Sequence, residues 1–128
     1  MLALPQEKES SNFNDFTVTQ GSIKFENYSL KYRSDTELVL KQINFTIDPK
    51  EKIGIVGRTG AGKSTICLAL CRLVEGYSGR ILIDNTDISK VSLSSLRKNL
   101  SIITQDPSLF TGSLRFNIDP EGKISDYE

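Results

Sequence analysis

The 128-residue sequence contains no histidine and no tryptophan. Without histidine, this chain alone cannot form a Ser–His–Asp triad, a Cys–His pair or a histidine-ligated zinc site. Enzymes that depend on one of those groups are therefore excluded for the chain on its own.

Cysteine is almost as scarce, since only Cys67 and Cys71 are present, four residues apart in a pattern typical of a helix. Two side chains one helical turn apart suit neither a disulfide nor a closed metal site, which requires more ligands than two thiols supply. We expect both to be buried free thiols, as in a reducing compartment.

Excess charge and long apolar runs are also missing. Lys and Arg together number 16, and so do Asp and Glu, which makes the net charge zero. Bulk electrostatic binding of nucleic acid or anionic lipid needs an excess of positive charge, so a nucleic-acid partner is not expected. No apolar run approaches the roughly 18 residues that a membrane-spanning helix needs.

The chain begins with a polar stretch and continues with patterned segments. Residues 1–20 are polar and aperiodic, which predicts a linker or tail. Between residues 21 and 47, apolar and polar side chains alternate and the parity changes near Asn27. This alternation predicts an antiparallel ribbon with a bulge at that point.

The segments after the ribbon are typical of a parallel α/β core. Residues 53–56 are continuously apolar, as expected of a strand buried on both faces. A helix that is apolar on nearly every side is predicted from about residue 63 to 74. Residues 80–83 and 100–103 are predicted to form further strands. Two short helices are also expected, with candidate N-cap residues Ser92 for the first and Thr111 or Ser113 for the second.

A glycine-rich loop between the predicted strand 53–56 and the helix after it carries the most informative motif. Residues 57–64, Gly-Arg-Thr-Gly-Ala-Gly-Lys-Ser, match the P-loop pattern G-x-x-x-x-G-K-S/T. Glycines let successive backbone N–H groups point at a polyphosphate with no Cβ in the way. The alternative, a tight connection with no ligand, is weaker because the flanking elements are those that the motif requires.

The side chains of the loop fit a magnesium–nucleoside triphosphate complex. Lys63 supplies a positive charge near the β- and γ-phosphates, Ser64 offers a hydroxyl to Mg²⁺, and Thr65 can donate to a phosphate oxygen. The N-terminus of the helix adds a partial positive charge. The predicted phosphate-binding residues are Gly57, Thr59, Gly60, Ala61, Gly62, Lys63, Ser64 and Thr65.

Several further segments carry a resemblance to a known family. They are GSIKFEN (21–27), LKYRSDTELVLKQINFTI (30–47), EKIGIVGRTGAGKST (51–65), SGRILIDNTDISKVSLSSLRKNLSIITQDPSLF (78–110) and TGSLRFNIDP (111–120). In this order they resemble the nucleotide-binding domain of an ABC transporter, in particular the second such domain of the multidrug-resistance-associated proteins. The fold class implied is α/β, a P-loop NTPase core of parallel strands and helices with an N-terminal antiparallel β subdomain.

The resemblance also assigns roles to two residues outside the loop. Tyr32 matches the aromatic residue that stacks on the adenine ring. Gln105 matches the glutamine that contacts Mg²⁺ or the attacking water, so the implied metal ligands are Ser64 and Gln105 and the implied catalytic residues are Lys63 and Gln105. Without the family, Tyr32 would be an ordinary strand tyrosine and Gln105 a solvated loop amide.

In an intact family member, two such domains bind ATP between them on the cytoplasmic side of a membrane. Together with transmembrane domains they couple ATP binding and hydrolysis to solute export. The family's signature motif, Walker B aspartate, catalytic glutamate and switch histidine would lie beyond Glu128. We therefore expect residues 21–128 to be the N-terminal portion of such a domain, poorly stable and inactive in hydrolysis alone.

Two other interpretations stay open at this point. The chain could belong to a P-loop protein without a transport role, such as an ABC ATPase of translation or DNA repair, or a kinase. It could also be a remnant that binds no nucleotide. Apolar spans of about 20 residues upstream would favour a transporter over the first alternative.

Overall fold

The computed structural model describes residues 16–103, 105–106, 109–120, 122 and 125. Its strands are β1 (Ile23–Leu30), β2 (Leu40–Ile47), β3 (Ser78–Ile83) and β4 (Thr86–Asp87). They form a sheet in the order β2-β1-β3-β4, and each of these pairings is antiparallel. The helices are α1 (Lys63–Leu70), α2 (Leu93–Lys98) and α3 (Leu114–Ile118), and a 3₁₀ turn (Ile88–Lys90) precedes α2.

The antiparallel ribbon and its bulge are confirmed. β1 pairs with β2 with a register shift between Phe25 and Tyr28, and Asn27 within the shift has a φ of 47°. β3 passes so close to this bulge that a Cβ at Gly79, whose φ is 74°, would collide with the Asn27 carbonyl. Glycine is therefore required at position 79.

The hydrophobic core joins the sheet to α1, α2 and the segment before β1. Phe25 stacks on Phe45 with ring centroids 4.4 Å apart, and Tyr28 meets Phe25 edge-on at 5.6 Å. Burial raises the pKa of Tyr28 to about 12. The buried residues of this cluster are Phe16, Phe25, Tyr28, Leu30, Leu40, Ala69, Ile81, Ile83, Ile88, Val91 and Leu96.

The end of the predicted N-terminal tail contributes to this core. Phe16 is buried, and its backbone N–H donates to the Ser95 hydroxyl at 2.8 Å. The side-chain amide of Asn99 donates to the Phe16 carbonyl at 3.0 Å. The predicted linker of residues 1–20 therefore includes a segment docked on α2, while residues 1–15 lie outside the described residues.

A single carboxylate holds the rest of that segment. Asp84, in the turn between β3 and β4, accepts hydrogen bonds of 2.8–2.9 Å from the backbone N–H groups of residues 19–22. The bonds from Gln20, Thr19, Gly21 and Ser22, in decreasing order of effect, hold the pKa of Asp84 well below its usual value. Asp84 and Asn85 both have positive φ, 47° and 62°, as a two-residue hairpin turn requires.

The predicted strand 80–83 forms as part of β3 and pairs antiparallel, whereas the predicted strands 53–56 and 100–103 do not form, so the parallel strands of the expected P-loop core are not observed among the described residues. Residues 53–56 and 100–103 are not strands, and the side chains of Val56 and Ile103 are 97% and 96% exposed. A strand buried on both faces needs neighbouring strands for its backbone groups and helices over each face. Within the described parts of the chain no element covers these segments in that way.

The helix after the loop is shorter and less buried than predicted. α1 ends at Leu70 rather than near residue 74, and Leu73 is half-exposed. Cys71 is buried but Cys67 is exposed, so the expectation of two buried thiols is wrong for Cys67. Ala69 of α1 is buried in the hydrophobic core, whereas Ser64 and Cys67 of the same helix are exposed.

The two short helices and their caps agree with prediction. The Ser92 hydroxyl accepts from the Ser95 N–H at the start of α2. The Ser113 hydroxyl accepts in the same way from the Phe116 N–H at the start of α3, so Ser113 rather than Thr111 is the cap. Among the described residues, no helix has the length and hydropathy of a membrane span.

Candidate functional site

The glycine-rich loop of residues 57–62 is curled directly before α1. Gly60 and Gly62 have φ angles of 82° and 86°, in the left-handed region that glycine adopts without strain. The Ala61 N–H donates to the Arg58 carbonyl at 3.1 Å, which closes a turn. The loop therefore has the curvature that the motif predicts.

The N-terminus of α1 has no neutralising group of its own. Its N-cap residue, Gly62, makes no side-chain hydrogen bond to the helix, and the first turn contains no acidic residue. The first N–H groups of a helix carry a partial positive charge when no side chain caps them. This end of α1 therefore has the electrostatic character of an anion site.

Lys63, the first residue of α1, is held against the loop. Its Nζ donates to the carbonyls of Gly57 at 2.6 Å and Arg58 at 2.8 Å. Such charge-assisted bonds are among the stronger hydrogen bonds of a protein. They tie the first residues of the loop to the helix and place the ammonium group beside the curled backbone.

Tyr32 lies next to α1, although it follows β1 in the chain. Its hydroxyl is 2.8 Å from Oγ1 of Thr65, and either oxygen can be the donor. Thr65 is buried in α1, whereas Tyr32 is half-exposed. The bond fixes the phenol end and leaves part of the ring open to a planar group.

These groups meet in one cavity of about 560 Å³. That volume lies in the range of small-molecule sites in proteins. The lining residues are Tyr32, Val39, Thr59, Gly60, Gly62, Lys63, Ser64, Thr65 and Gln105. No acidic side chain occurs in this lining, as far as the described residues go.

Most of the predicted site residues therefore lie together. Gly57 and Ala61 do not line the cavity, because Gly57 supplies a carbonyl to Lys63 and Ala61 closes the turn of the loop. Gln105 also lines the cavity. It belongs to the segment that follows α2. The roles of these residues in binding stay predictions.

Val39 is a lining residue that sequence reasoning missed. Its N–H donates to the Leu30 carbonyl at 2.8 Å, and its side chain lies beside Gly62. The alternation of Leu38 and Leu40 assigns position 39 to the polar face. An apolar valine at a position of the polar face could have indicated that both faces of the ribbon are in contact with other elements here.

Comparison with known proteins gives the class of protein. A family model described as "ABC transporter" matches residues 40–125, which is more than half of the chain. The chain therefore belongs to the ABC transporter family.

The curated relatives narrow the class to the multidrug-resistance-associated subfamily. "Metal resistance protein YCF1" of Saccharomyces cerevisiae is 55% identical over 108 residues, 84% of this chain and 7% of that protein. "Vacuolar heme ABC transmembrane exporter abc3" of Schizosaccharomyces pombe is 52% identical over 108 residues, again 84% and 7%. "ATP-binding cassette sub-family C member 8" of Homo sapiens is 53% identical over 107 residues, with the same coverage. The chain thus spans about 7% of the length of these relatives.

A solved structure shows the same architecture. The chain matches "Structure of a bacterial Atm1-family ABC exporter with ATP bound" with a TM-score of 0.81 and 37% sequence identity. The match covers 87% of this chain and 19% of that one. The antiparallel sheet with few helices is therefore that of part of an ABC ATPase.

Proposed function

We propose that the cavity at the N-terminus of α1 binds MgATP, and that the chain is the ATP-binding part of a transporter that exports a solute. The observation that supports this most directly is the meeting of Lys63, Ser64, Tyr32 and an uncapped helix N-terminus in one cavity. Each of these groups serves a different part of a magnesium–nucleotide complex.

The phosphate end would lie over the curled loop. Gly60 and Gly62 line the cavity there, and a Cβ at Gly60 would meet open space. Lys63 would shift its hydrogen bonds from the loop carbonyls to the β- and γ-phosphate oxygens. The partial charge of α1 would act on the same oxygens.

The protein's own ligands to the metal would be neutral oxygen atoms. The described residues contain no group of three or more His, Cys, Asp or Glu side chains that could form a metal site of their own. Mg²⁺ commonly relies on substrate phosphates, water and few protein oxygens, so the Ser64 hydroxyl and the Gln105 side-chain carbonyl fit it. When bound, Mg²⁺ neutralises charge on the β- and γ-phosphates.

The base would lie against Tyr32. The hydrogen bond between the Tyr32 hydroxyl and Thr65 holds the ring beside the cavity. Stacking of an aromatic ring on a flat base tolerates different bases. Selection for adenine would then come from residues other than Tyr32.

Hydrolysis needs a group that these residues do not supply. A general base must stand within hydrogen-bond reach of the attacking water, and the described lining contains no carboxylate. We therefore expect the 128 residues to bind nucleotide and to release phosphate negligibly. In the whole transporter, the ATPase would be completed by further segments, a second nucleotide-binding domain and transmembrane domains, with this domain on the cytoplasmic side. Residues 21–128 would then be the first portion of the domain, preceded by a linker.

The Lys63→Ala variant tests the proposal by calorimetric titration with MgATP. Loss of the ammonium should weaken binding by roughly tenfold or more, which corresponds to ~1.4 kcal/mol. Lys52→Ala removes the same charge from an exposed position outside the cavity and should bind like the wild type. Equal affinity of a folded Lys63→Ala protein and the wild type would contradict the proposal.

A further inference from the structure

The C-terminus of α1 ends in a left-handed turn that is occupied by arginine. The Leu73 N–H donates to the Leu68 carbonyl at 2.9 Å, and the Arg72 N–H donates to the Ala69 carbonyl at 3.0 Å. This is the Schellman pattern, in which the left-handed residue is usually glycine. Here that residue is Arg72, with a φ of 49°. A non-glycine residue in this conformation is held by its surroundings.

The contacts of the Arg72 side chain stabilise this backbone conformation. Its Nη1 donates to the carbonyls of Ile88 at 3.0 Å and Val91 at 2.9 Å, and its guanidinium pairs with Glu75 at 2.8 Å. Only 9% of the side chain is exposed. Arg72 thereby attaches the end of α1 to the 3₁₀ turn that leads into α2.

A second arginine closes the same junction from α2. The Nε of Arg97 donates to the Cys71 carbonyl at 3.0 Å, and its Nη2 donates to the Arg72 carbonyl at 3.1 Å. The last turn of α1 contains no basic residue of its own. Arg97 therefore brings to this end of α1 the cation that a helix C-terminus favours.

Both elements joined by Arg97 lead to the candidate nucleotide site. Lys63, at the other end of α1, lines the cavity, and so does Gln105, eight residues after Arg97. We propose that Arg97 is a positioning residue that sets the place of Gln105 relative to the phosphate loop. The importance of that placement rests on the proposed MgATP function.

Arg97 is well suited to a positioning role because α2 has a separate hydrophobic anchor. Leu93 and Leu96 are both buried, so the helix stays packed when the arginine is changed. What changes is the fork of two hydrogen bonds to α1, which a single ammonium or amide group cannot reproduce. The expected consequence is a displaced segment after α2 in a folded protein.

The first test follows the backbone amide resonance of Gln105 by NMR in the 128-residue chain without nucleotide. Arg97→Gln should shift this resonance, and Arg97→Lys should shift it less because it keeps the charge. Lys98→Gln, the matched control on the same helix, should leave it in place. A Gln105 resonance unmoved by Arg97→Gln would overturn the proposal, whether or not the chain binds ATP. If Arg97→Gln does not fold, the same comparison is made with Arg97→Lys, and an unmoved resonance again overturns it.

The second test measures ATP affinity with Mg²⁺ and with a chelator. Arg97→Gln should leave the chelated value unchanged and reduce the gain from Mg²⁺ by roughly fivefold. Added to Gln105→Ala, it should have no further effect, since both act through one contact. An equal loss with and without Mg²⁺, or additive effects, would contradict positioning through Gln105. A wild type that does not bind ATP contradicts the proposed function, and the NMR result still decides the placement.

Discussion

Apolar side chains are buried in one region of the chain and exposed to solvent in another. In the antiparallel sheet and α2, Phe25, Leu30 and Leu96 are at most 1% exposed. In the segments before the loop and after α2, Val56 and Ile103 are almost fully exposed. Apolar composition is similar in both parts, so composition does not decide burial. A segment is buried where another element of the chain offers hydrogen-bond partners and a complementary face.

The difference also separates the candidate site into two parts. The phosphate loop is attached to the well-packed part through Tyr32 and Val39, which lie beside α1. The segment before it, residues 51–57, is exposed throughout. One side of the site is therefore formed by packed elements, α1 and the ribbon. The other side depends on residues 51–57, which are exposed to solvent.

The largest effect should come from shortening a side chain in the packed part. Leu30→Ala should reduce the free energy of unfolding by about 2–5 kcal/mol, because Leu30 is completely buried. Val56→Ala, at a 97% exposed position, should change it by no more than ~0.5 kcal/mol. Urea denaturation of both variants measures the contrast. Comparable losses would mean that residues 53–56 are covered in solution.

Acid should destabilise the packed part through Asp84. Because the folded pKa of Asp84 is depressed, its contribution is complete above the unfolded pKa of about 3.9 and is lost as the pH falls below it. Asp84→Asn places an amide donor among backbone donors, so it should lower the melting temperature at pH 7. It should also flatten the decline below about pH 5.

Glu26 should retain a weaker acid dependence in that variant. Hydrogen bonds from Lys24 and Arg80 lower the pKa of this partly exposed carboxyl. Thermal melts from neutral to acidic pH check both effects. An Asp84→Asn protein with the wild-type pH profile would show that the carboxylate does not hold residues 19–22.

The smallest expected effects compare one cap in each region. Ser92→Ala removes the N-cap of α2, which carries buried leucines, and should cost about 1 kcal/mol of folding free energy. Ser113→Ala removes the same kind of bond from α3, which has no buried residue, and should not change global unfolding measurably. Equal losses of folding free energy in denaturant titrations would show that α3 unfolds together with the rest of the structure.

Sequence patterns predicted the parts of the fold that are determined locally. Alternation gave the ribbon and the parity change at Asn27 gave the bulge, because both follow from the two-residue period of a strand. Serine side chains marked both short helices, because an N-cap bond lies within four residues of chain. The P-loop pattern predicted the curl, since glycines at 60 and 62 adopt the required left-handed angles.

The predictions that failed depend on contacts with residues far away in the sequence, or on neighbouring strands that the described residues do not provide. Residues 53–56 have the composition of a central strand but lack adjacent strands among the described residues. Docking of Phe16 on Ser95 joins positions 79 residues apart, and nothing in the polar tail indicates it. The Tyr32–Thr65 bond and the Arg97 fork likewise depend on tertiary geometry that spacing does not encode.

The most direct test of the nucleotide site is calorimetric titration of the wild-type chain with ATP, ADP and AMP in Mg²⁺. The curled loop, Lys63 and the N-terminus of α1 all act on the terminal phosphates. We therefore predict that ATP binds more tightly than ADP and that AMP binds far more weakly than either. Equal affinities for ATP and AMP, or no binding of ATP, would contradict it.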